Sequence, residues 1–393
     1  MNVLQLISSS GFFGAENVVV QLAKELGKNP RVNALVGVFQ NTWNPHLEIL
    51  EERLGAGVET ATFLARRQLD LKTLKEIRHF VRQKQIDIIH SHGYKANFYA
   101  RVATLGLDTA LVATCHNWPG KDIRSKGYAC LDFAILFWFD QVAAVSDEIR
   151  KRILRHGVPP QKVTIVRNGI SLKPFQENDS RAPFRKELGI SFDSVVVGTV
   201  GRISPEKGHE NLLIAAREIS EKFQNVVFLL LGDGPLKAKL QREYSSPTIL
   251  FTGYRKDLPS LFSCMDIFVL PSLVEGLPMA ALEAMASRLP VVASGVGEVP
   301  SLVGRESGML VEPNNPAELK RCLIHLIENP TIARIMGEKG YRWVKSRFSA
   351  DRMALKYREI YREVIRRKKF QQRKGSEIDP IEEKEDFAII PQK

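Results

Sequence analysis

Two cationic residues stand close together in the second half of the chain, directly after an apolar run. Arg202 follows the segment "VVVGTVG", and Lys207 comes five positions later, in "GRISPEKGH". Ser204 and Pro205 between them are typical of a helix start. Two cations beside a helix N-terminus suit a bound diphosphate, whereas a solvated basic loop is the alternative interpretation of this segment taken alone.

Two glutamates follow in "LPSLVEGLPMAALEAMA", with seven residues between them. Glu275 is predicted in a loop after a strand, and Glu283 in a helix that starts near Pro278. A carboxylate in the first turns of that helix can accept two ribose hydroxyls, and one in the preceding loop can reach a sugar on the same ligand. Alone, the pair reads as a helix-face charge and a partner of the helix dipole. Together with Arg202 and Lys207, the glutamates favour a nucleotide-sugar site.

Two glycine turns at strand ends belong to the same half. "SGVGEV" contains Gly295, Gly297 and Glu298, and its backbone amides can close over a diphosphate or a sugar. "LGDGP", with Gly232, is expected to shape a base pocket, or is simply a strand-to-helix connection.

Three histidines stand near predicted strand ends in the first half, His90 and His92 in "IIHSHGYKAN" and His116 in "VATCHNW". A single histidine at a strand end is more often structural. We rank His116 first because it follows a buried strand and faces the expected cleft, and His92 is the weaker candidate. Lys95 and Asn97, just after His92, are candidates for contact with an anionic acceptor.

Short apolar runs alternate with helical patterns along both halves, which predicts two doubly wound parallel sheets. The linker is expected within residues 167–183, which are rich in glycine, proline, asparagine and aspartate. We assign residues 1–172 to a first domain, 173–349 to a second, and 368–393 to a disordered charged tail. A helix over 350–367 precedes the tail. Ligands of such sheets bind beyond the carboxyl ends of the strands, so both domains are expected to face one cleft.

The composition is that of a globular protein, with 44% hydrophobic residues and a net charge of +12. The charge suits anionic substrates or an anionic membrane surface, and the aromatic–basic interleaving of nucleic-acid modules is missing, so no nucleic-acid partner is expected. Four widely spaced cysteines fit a reducing cytoplasm. The apolar stretch 133–139 is too short to span a bilayer. With the basic residues before it, this stretch fits either a peripheral contact with anionic lipid or a buried helix with one basic face.

The ordered motifs "GRISPEKG", "EGLPMAALE" and "GVGEV" resemble those of the retaining glycosyltransferases of family 4, which have the GT-B fold of two facing Rossmann-like domains. "VRNGI", at 166–170, is similar to the signature at that family's domain junction, with Arg167 in place of proline. The resemblance implies that Arg202 and Lys207 bind the donor diphosphate, Glu283 the ribose and Glu275 the transferred sugar. It implies further donor contacts from Gly232, Gly276, Leu277 and Gly297, and a position near the sugar for His116. The last helix is expected to cross back onto the first domain.

The turn "SSSGFFGAE" near the N-terminus lacks both the G-x-G-x-x-G fingerprint and the lysine of a P-loop. It resembles a variant of the family's "GG-x-E" turn, with Phe13 in place of the first glycine. This leaves Gly14 as the candidate for close approach to the donor. The rings of Phe12 and Phe13 either shape an acceptor pocket or pack inward.

The implied reaction is attack of an acceptor hydroxyl on the anomeric carbon of a nucleotide-diphosphate sugar, with retention of configuration. No Asp-x-Asp pair occurs in the chain, so we expect no metal or other cofactor and assign leaving-group stabilisation to Arg202 and Lys207. The expected partners are the nucleotide sugar and a glycan or lipid-linked acceptor, as in cell-surface polysaccharide or lipopolysaccharide biosynthesis. Two alternatives stay open, a nucleotide-sugar 2-epimerase of the same fold, which needs no acceptor, and a non-catalytic nucleotide-sugar sensor.

Overall fold

The structure, a computed structural model, describes residues 1–8, 14–40, 54, 57–65, 69–116, 123–176, 181–255, 257–304 and 306–376. The predicted acceptor residues Phe12 and Phe13, and the tail from 377 to 393, lie outside the described residues.

Seven parallel strands form the first sheet, in the order β3-β2-β1-β4-β5-β6-β7. Most of them are apolar and buried, as in sheets covered on both faces. Their bounds are β1 Asn2–Ile7, β2 Asn33–Gln40, β3 Glu59–Leu64, β4 Ile88–His92, β5 Ala110–Cys115, β6 Gln141–Ala144 and β7 Val163–Ile165.

Within the described residues of the first domain, five helices connect these strands, and side-chain caps fix the start of two of them. Asp70 accepts a hydrogen bond from the backbone N–H of Lys72, and Ser146 accepts one from that of Ile149. The bounds are α1 Gly14–Gly27, α2 Leu71–Gln83, α3 Tyr94–Ala103, α4 Ile123–Leu136 and α5 Asp147–Arg155.

Two features of this sheet differ from the sequence-based prediction. Strand β3 lies at the sheet edge, and its sequence "ETATFL" is mostly exposed or half-buried. It contains no continuous apolar run from which a strand could be predicted. Strand β4 runs on past His90, which was expected near a strand end, as far as His92, because His90, Ser91 and His92 all find buried hydrogen-bond partners. His90 therefore lies in the middle of a strand, and only His92 stands at its end.

Six parallel strands form the second sheet, in the order β10-β9-β8-β11-β12-β13. The strands are β8 Val195–Val200, β9 Val226–Leu231, β10 Ile249–Gly253, β11 Ile267–Leu270, β12 Val291–Ser294 and β13 Gly308–Val311. The helices are α6 Lys173–Gln176, α7 Arg181–Glu187, α8 His209–Lys222, α9 Lys237–Tyr244, α10 Leu258–Cys264, α11 Met279–Ala286, α12 Val299–Val303, α13 Pro316–Glu328 and α14 Pro330–Arg347.

Each sheet reverses its strand order once, between β1 and β4 in the first and between β8 and β11 in the second. Such reversal points open a crevice at the carboxyl ends of the strands, where doubly wound proteins bind ligands. The loops after β8 and β11 are those that carry Arg202, Lys207 and Glu275. The expectation of two doubly wound sheets is confirmed, and it puts the predicted cations and carboxylates at one reversal point.

The last helix, α15 (Ala350–Ser376), follows the second sheet in sequence but packs against the first. Met353, Tyr357 and Tyr361 share a buried cluster with Val3 and Val112 of the first sheet. The expected crossing back is therefore confirmed.

The helix also extends past residue 367, the predicted end. The segment 368–376 was expected to be disordered and is helical, which corrects the prediction. Lys368 donates to the carbonyl of Thr109 at 2.9 Å and lies 3.5 Å from Asp140, which fixes this extension to the first domain.

In the described part of the chain, no helix combines the length and the apolarity that crossing a bilayer requires.

Candidate active site

An ion pair lies at the reversal point of the second sheet and joins two of the predicted residues. The ammonium Nζ of Lys207 lies 2.6 Å from Oε1 of Glu275. Ser272 Oγ donates to the same oxygen at 2.7 Å. The side chain of Glu275 is 7% exposed and that of Lys207 is 28% exposed. The pair is thus partly shielded from water. Charges attract each other more strongly in such a setting than at a fully exposed surface.

The loops after β8 and β11 are held together through their backbones. The carbonyl of Glu206 accepts hydrogen bonds from the N–H groups of Leu273 and Val274, at 2.8 and 3.3 Å. The Glu206 carboxylate accepts one from Ser204 Oγ at 2.6 Å. This bond, and then the charges of Arg202 and Lys207, hold the pKa of Glu206 below its ordinary value. Glu206 thereby adds a carboxylate beside the two cations, which the sequence analysis did not single out.

A pocket of about 620 Å³ is lined by Arg202, which shares the loop after β8 with Lys207, and by Gly232, Tyr254 and Arg255 among others. Gly232 has a φ of +143°, and a Cβ at this position would lie 1.8 Å from the carbonyl oxygen of Gly201. Only glycine therefore lets the turn after β9 approach the loop that carries Arg202. Tyr254 is 54% exposed and lines this pocket with an aromatic side chain. Sequence reasoning did not select this tyrosine.

The turn after β12 packs onto the loop that carries Glu275. Gly297 has a φ of +54°, and a Cβ there would lie 2.0 Å from the backbone oxygen of Glu275. Gly276 is exposed, and Leu277 packs against the core of the second domain. The predicted donor residues Glu275, Gly276 and Gly297 are thus neighbours in space.

Glu283 lies in α11, where the two domains meet. It is buried, and its Oε1 accepts a hydrogen bond from Asn17 Nδ2 at 3.2 Å. Asn17 belongs to α1 of the first domain, whose first residue is Gly14. Sequence reasoning missed Asn17, although it follows the glycine turn by three residues. This contact places the N-terminal turn of α1, in the first domain, against a carboxylate of the second domain.

His116 and His92 adjoin each other at the carboxyl edge of the first sheet. His116 follows β5 and is partly exposed, and its Nε2 lies 3.2 Å from Nδ1 of His92. Burial lowers the pKa of His116 to about 4, so its imidazole is neutral near neutral pH. His92 is 3% exposed and stands behind His116. Its burial favours support of His116 over direct contact with an acceptor.

The predicted acceptor residues Lys95 and Asn97 lie on α3. Asn97 is 1% exposed, accepts from Ser91 Oγ at 2.6 Å and donates to Asp132 Oδ1 at 2.7 Å. Both bonds favour a structural role for Asn97. Lys95 lies over the ring of Phe39 and lines a mostly apolar pocket of about 160 Å³. Lys95 thus stays the better candidate for acceptor contact.

Among the residues that the structure describes, no group of three or more histidines, cysteines, aspartates or glutamates could hold a metal ion.

Two facing Rossmann-like domains, with charged groups gathered at a strand-order reversal, define a GT-B glycosyltransferase fold. A solved structure with this architecture is that of the Anabaena protein HepE in complex with UDP-glucose. The two share 22% identity with a TM-score of 0.78, over 92% of this chain and 100% of that one.

Sequence comparison leads to the family. The family model described as "Glycosyltransferase Family 4" matches residues 13–173. The model described as "Glycosyl transferases group 1" matches residues 194–329. The alpha-maltose-1-phosphate synthase of Mycolicibacterium smegmatis is 30% identical over 308 residues, 70% of this chain and 79% of the relative. The Escherichia coli UDP-Gal:alpha-D-GlcNAc-diphosphoundecaprenol alpha-1,3-galactosyltransferase is 26% identical over 311 residues, 75% and 80% of the respective chains. The chain belongs to the group 1, family 4 glycosyltransferases.

Proposed function

We propose that this chain is a retaining enzyme that moves a sugar from a nucleotide-diphosphate sugar to a hydroxyl of a glycan or lipid-linked acceptor. The observation that carries the proposal is the 2.6 Å pair of Lys207 and Glu275, in which the lysine shares the loop after β8 with Arg202, a residue that lines the 620 Å³ pocket. A cation that is held by a carboxylate is preorganised for a second anion, because its side chain is already oriented.

In this proposal Arg202 and Lys207 stabilise the charge that develops on the leaving diphosphate. Glu275, which Ser272 and Lys207 orient, accepts hydroxyls of the transferred sugar. Glu283 accepts the ribose hydroxyls, and the pocket with Gly232 and Tyr254 takes the base.

The reaction forms a bond between the acceptor oxygen and the anomeric carbon and breaks the bond from that carbon to the diphosphate oxygen. The electron pair of the broken bond leaves with the nucleoside diphosphate, and the proton of the acceptor hydroxyl passes to a phosphate oxygen of this leaving group. Retention follows from attack on the same face or from two successive displacements through a covalent intermediate. Arg202 and Lys207 neutralise the negative charge of the leaving diphosphate, so transfer is expected to proceed without a divalent metal.

The acceptor is proposed to bind the first domain, near His116 and the apolar pocket that Lys95 lines. A lipid-linked acceptor in cell-surface polysaccharide or lipopolysaccharide biosynthesis suits this pocket, and the Escherichia coli relative is named for such an acceptor. Trp138 is 64% exposed with Arg101 5.5 Å from its ring centre, and Phe137 is exposed beside Lys162. This pairing of aromatic and basic groups supports a peripheral contact with an anionic membrane, from the cytoplasmic side.

A thermal-shift screen of nucleoside diphosphates and their sugars tests the proposal, with UDP and UDP-glucose as the first probes. Because a ligand that binds the folded state stabilises it, the correct nucleotide sugar raises the melting temperature. The shift is expected to persist in excess EDTA.

The hit is then incubated with and without an acceptor extract. Transfer only in the presence of acceptor supports the proposal. Donor rearrangement without acceptor indicates a 2-epimerase, binding with neither reaction indicates a sensor, and no shift with any nucleotide contradicts the nucleotide site itself.

A further inference from the structure

A chain of hydrogen-bonded polar side chains runs from His116 through the interior of the first sheet to the last helix. From His116 it passes to Nδ1 of His92, whose Nε2 lies 2.9 Å from Oε1 of Gln5. The amide Nε2 of Gln5 donates to the hydroxyl of Tyr361, on α15, at 3.1 Å. Gln5 and Tyr361 are fully buried. His116 directly follows β5, and His92, Gln5 and Tyr361 stand on β4, β1 and α15 in turn.

The chain continues beyond Tyr361. The Tyr361 hydroxyl lies 2.6 Å from Nδ1 of His90, and Nε2 of His90 lies 2.6 Å from Oγ1 of Thr114. Oγ1 of Thr114 lies 2.7 Å from the hydroxyl of Tyr357. Each of these buried groups needs a hydrogen-bond partner, because an unpaired polar group in the protein interior lowers the stability of the folded state.

Proton counting fixes the direction of the bonds between Gln5 and His116. An amide oxygen only accepts, so Nε2 of His92 carries the hydrogen. A neutral imidazole has one N–H, so Nδ1 of His92 accepts and Nε2 of His116 donates to it. The hydroxyl of Tyr361 accepts from the Gln5 amide nitrogen and is free to donate to His90. This arrangement holds the Gln5 oxygen towards His92.

Neutrality of the histidines makes this counting valid near neutral pH. Burial, followed by the neighbouring His90 and His116, holds the pKa of His92 well below its ordinary value. Burial likewise lowers the pKa of His116 to about 4.

We propose that Gln5 and Tyr361 are positioning residues that hold His116 in the Nε2–H tautomer. The imidazole then offers Nδ1, for which the described residues provide no hydrogen-bond partner, as an acceptor for a hydroxyl of the sugar. The catalytic part of this inference rests on the proposed function, and the tautomer does not. Tyr361 belongs to α15, so the helix that crosses back from the second domain completes the first-domain side of the site.

The tautomer is measured directly, by long-range ¹H–¹⁵N spectra of histidine-labelled protein near neutral pH without ligand. The wild type is expected to show His92 and His116 as Nε2–H tautomers. Gln5→Met removes the acceptor of His92, and Tyr361→Phe removes the hydroxyl that orients Gln5, so both variants are expected to show mixed tautomers at His116. Tyr357→Phe is the matched control, because it deletes a buried hydroxyl one turn away on the same helix, outside the segment from His116 to Tyr361. It is expected to keep the wild-type tautomer.

Transfer kinetics supply the second measurement. Gln5→Met and Tyr361→Phe are expected to lower kcat about tenfold or more, since a histidine in the wrong tautomer cannot make its bond. Nucleotide affinity should stay unchanged, because the nucleotide is proposed to bind the second domain.

An Nδ1–H or mixed His116 in the wild type overturns the inference, as do variants that change neither tautomer nor kcat. If both variants fail to fold, the wild-type spectrum alone decides. A locked Nε2–H tautomer in a protein that transfers no sugar contradicts the proposed function and leaves the positioning by Gln5 and Tyr361 intact.

Discussion

At the residue scale, the pairing of Lys207 with Glu275 sets the state of both groups before any ligand binds. Oε1 of Glu275 accepts hydrogen bonds from both Lys207 and Ser272. Removing one member of a partly buried pair leaves the other with an uncompensated charge, so single substitutions act on both residues.

Lys207→Ala and Glu275→Ala are each expected to lower kcat about a hundredfold or more while the fold stays intact. The physical reason is the loss of a preorganised group at a site of developing charge. Steady-state transfer with the identified donor measures the effect, and circular dichroism checks the fold. Lys239→Ala, an exposed lysine of the same domain, is the matched control and is expected to keep wild-type rates. Near-wild-type turnover in both site variants would contradict the assignment.

At the element scale, one buried arginine fastens the start of the second domain. Arg185 in α7 is 1% exposed, and its guanidinium donates to the carbonyl oxygens of Cys264, Phe192 and Ser194. It also pairs with Asp266 at 2.8 Å. Asp266 in turn accepts the backbone N–H of Val196, the second residue of β8. This side chain therefore ties α7, the loop before β8 and the end of α10 into one unit.

Arg185→Met is expected to lower the free energy of unfolding by about 3–5 kcal/mol, because it removes the donor of several carbonyl oxygens, that of Cys264 in the interior among them, and the charge partner of Asp266. Urea denaturation followed by tryptophan fluorescence measures the change. Lys186→Met, the exposed neighbour, is the control and is expected to stay within about 0.5 kcal/mol of the wild type. A loss below about 1 kcal/mol in Arg185→Met would mean that water replaces the guanidinium at little cost.

At the scale of the whole molecule, the first domain is complete only with α15. Tyr357 and Tyr361 close a cluster of buried polar groups that β1, β4 and β5 supply. Ile170 and Ser349 form a parallel bridge where the chain leaves the first domain and returns to it. The two halves therefore depend on each other through the returning helix as well as through the contact of Asn17 with Glu283.

The buried His90 and the partly exposed His116 give the molecule an acid-sensitive stability. Burial, together with the charge of the neighbouring His116, lowers the pKa of His90 from 6.5 to about 3. Burial lowers the pKa of His116 from 6.5 to about 4. Below about pH 6.5 the unfolded chain binds protons that the native state excludes. The stabilisation present above this pH is therefore lost as the pH falls towards the native pKa values.

Each such histidine is expected to lower the free energy of unfolding by about 1.4 kcal/mol per pH unit in that window. Urea midpoints measured from about pH 7.5 down to 5.5 test this expectation. His79→Gln, at an exposed position, should leave the slope unchanged. A midpoint that stays constant over this range would show that the network takes up protons without unfolding.

The sequence by itself determined both sheets and most of the charged site, because these depend on local patterns. Continuous apolar strands between helices specify parallel sheets, and residues just after such strands gather at one edge. That is why the sequence could predict that Arg202, Lys207 and Glu275 lie at one sheet edge, while their roles in binding stay predictions. The exposed edge strand β3 was missed since no apolar run marks it.

The tertiary structure alone decided which buried polar groups meet. Asn17 contacts Glu283 across 266 positions of sequence, and Gln5 contacts Tyr361 across 356. A buried amide or phenol requires a hydrogen-bond partner, but its residue type does not say which one. For Gln5, the packing of α15 on the first sheet settles that choice, and with it the surroundings of His116.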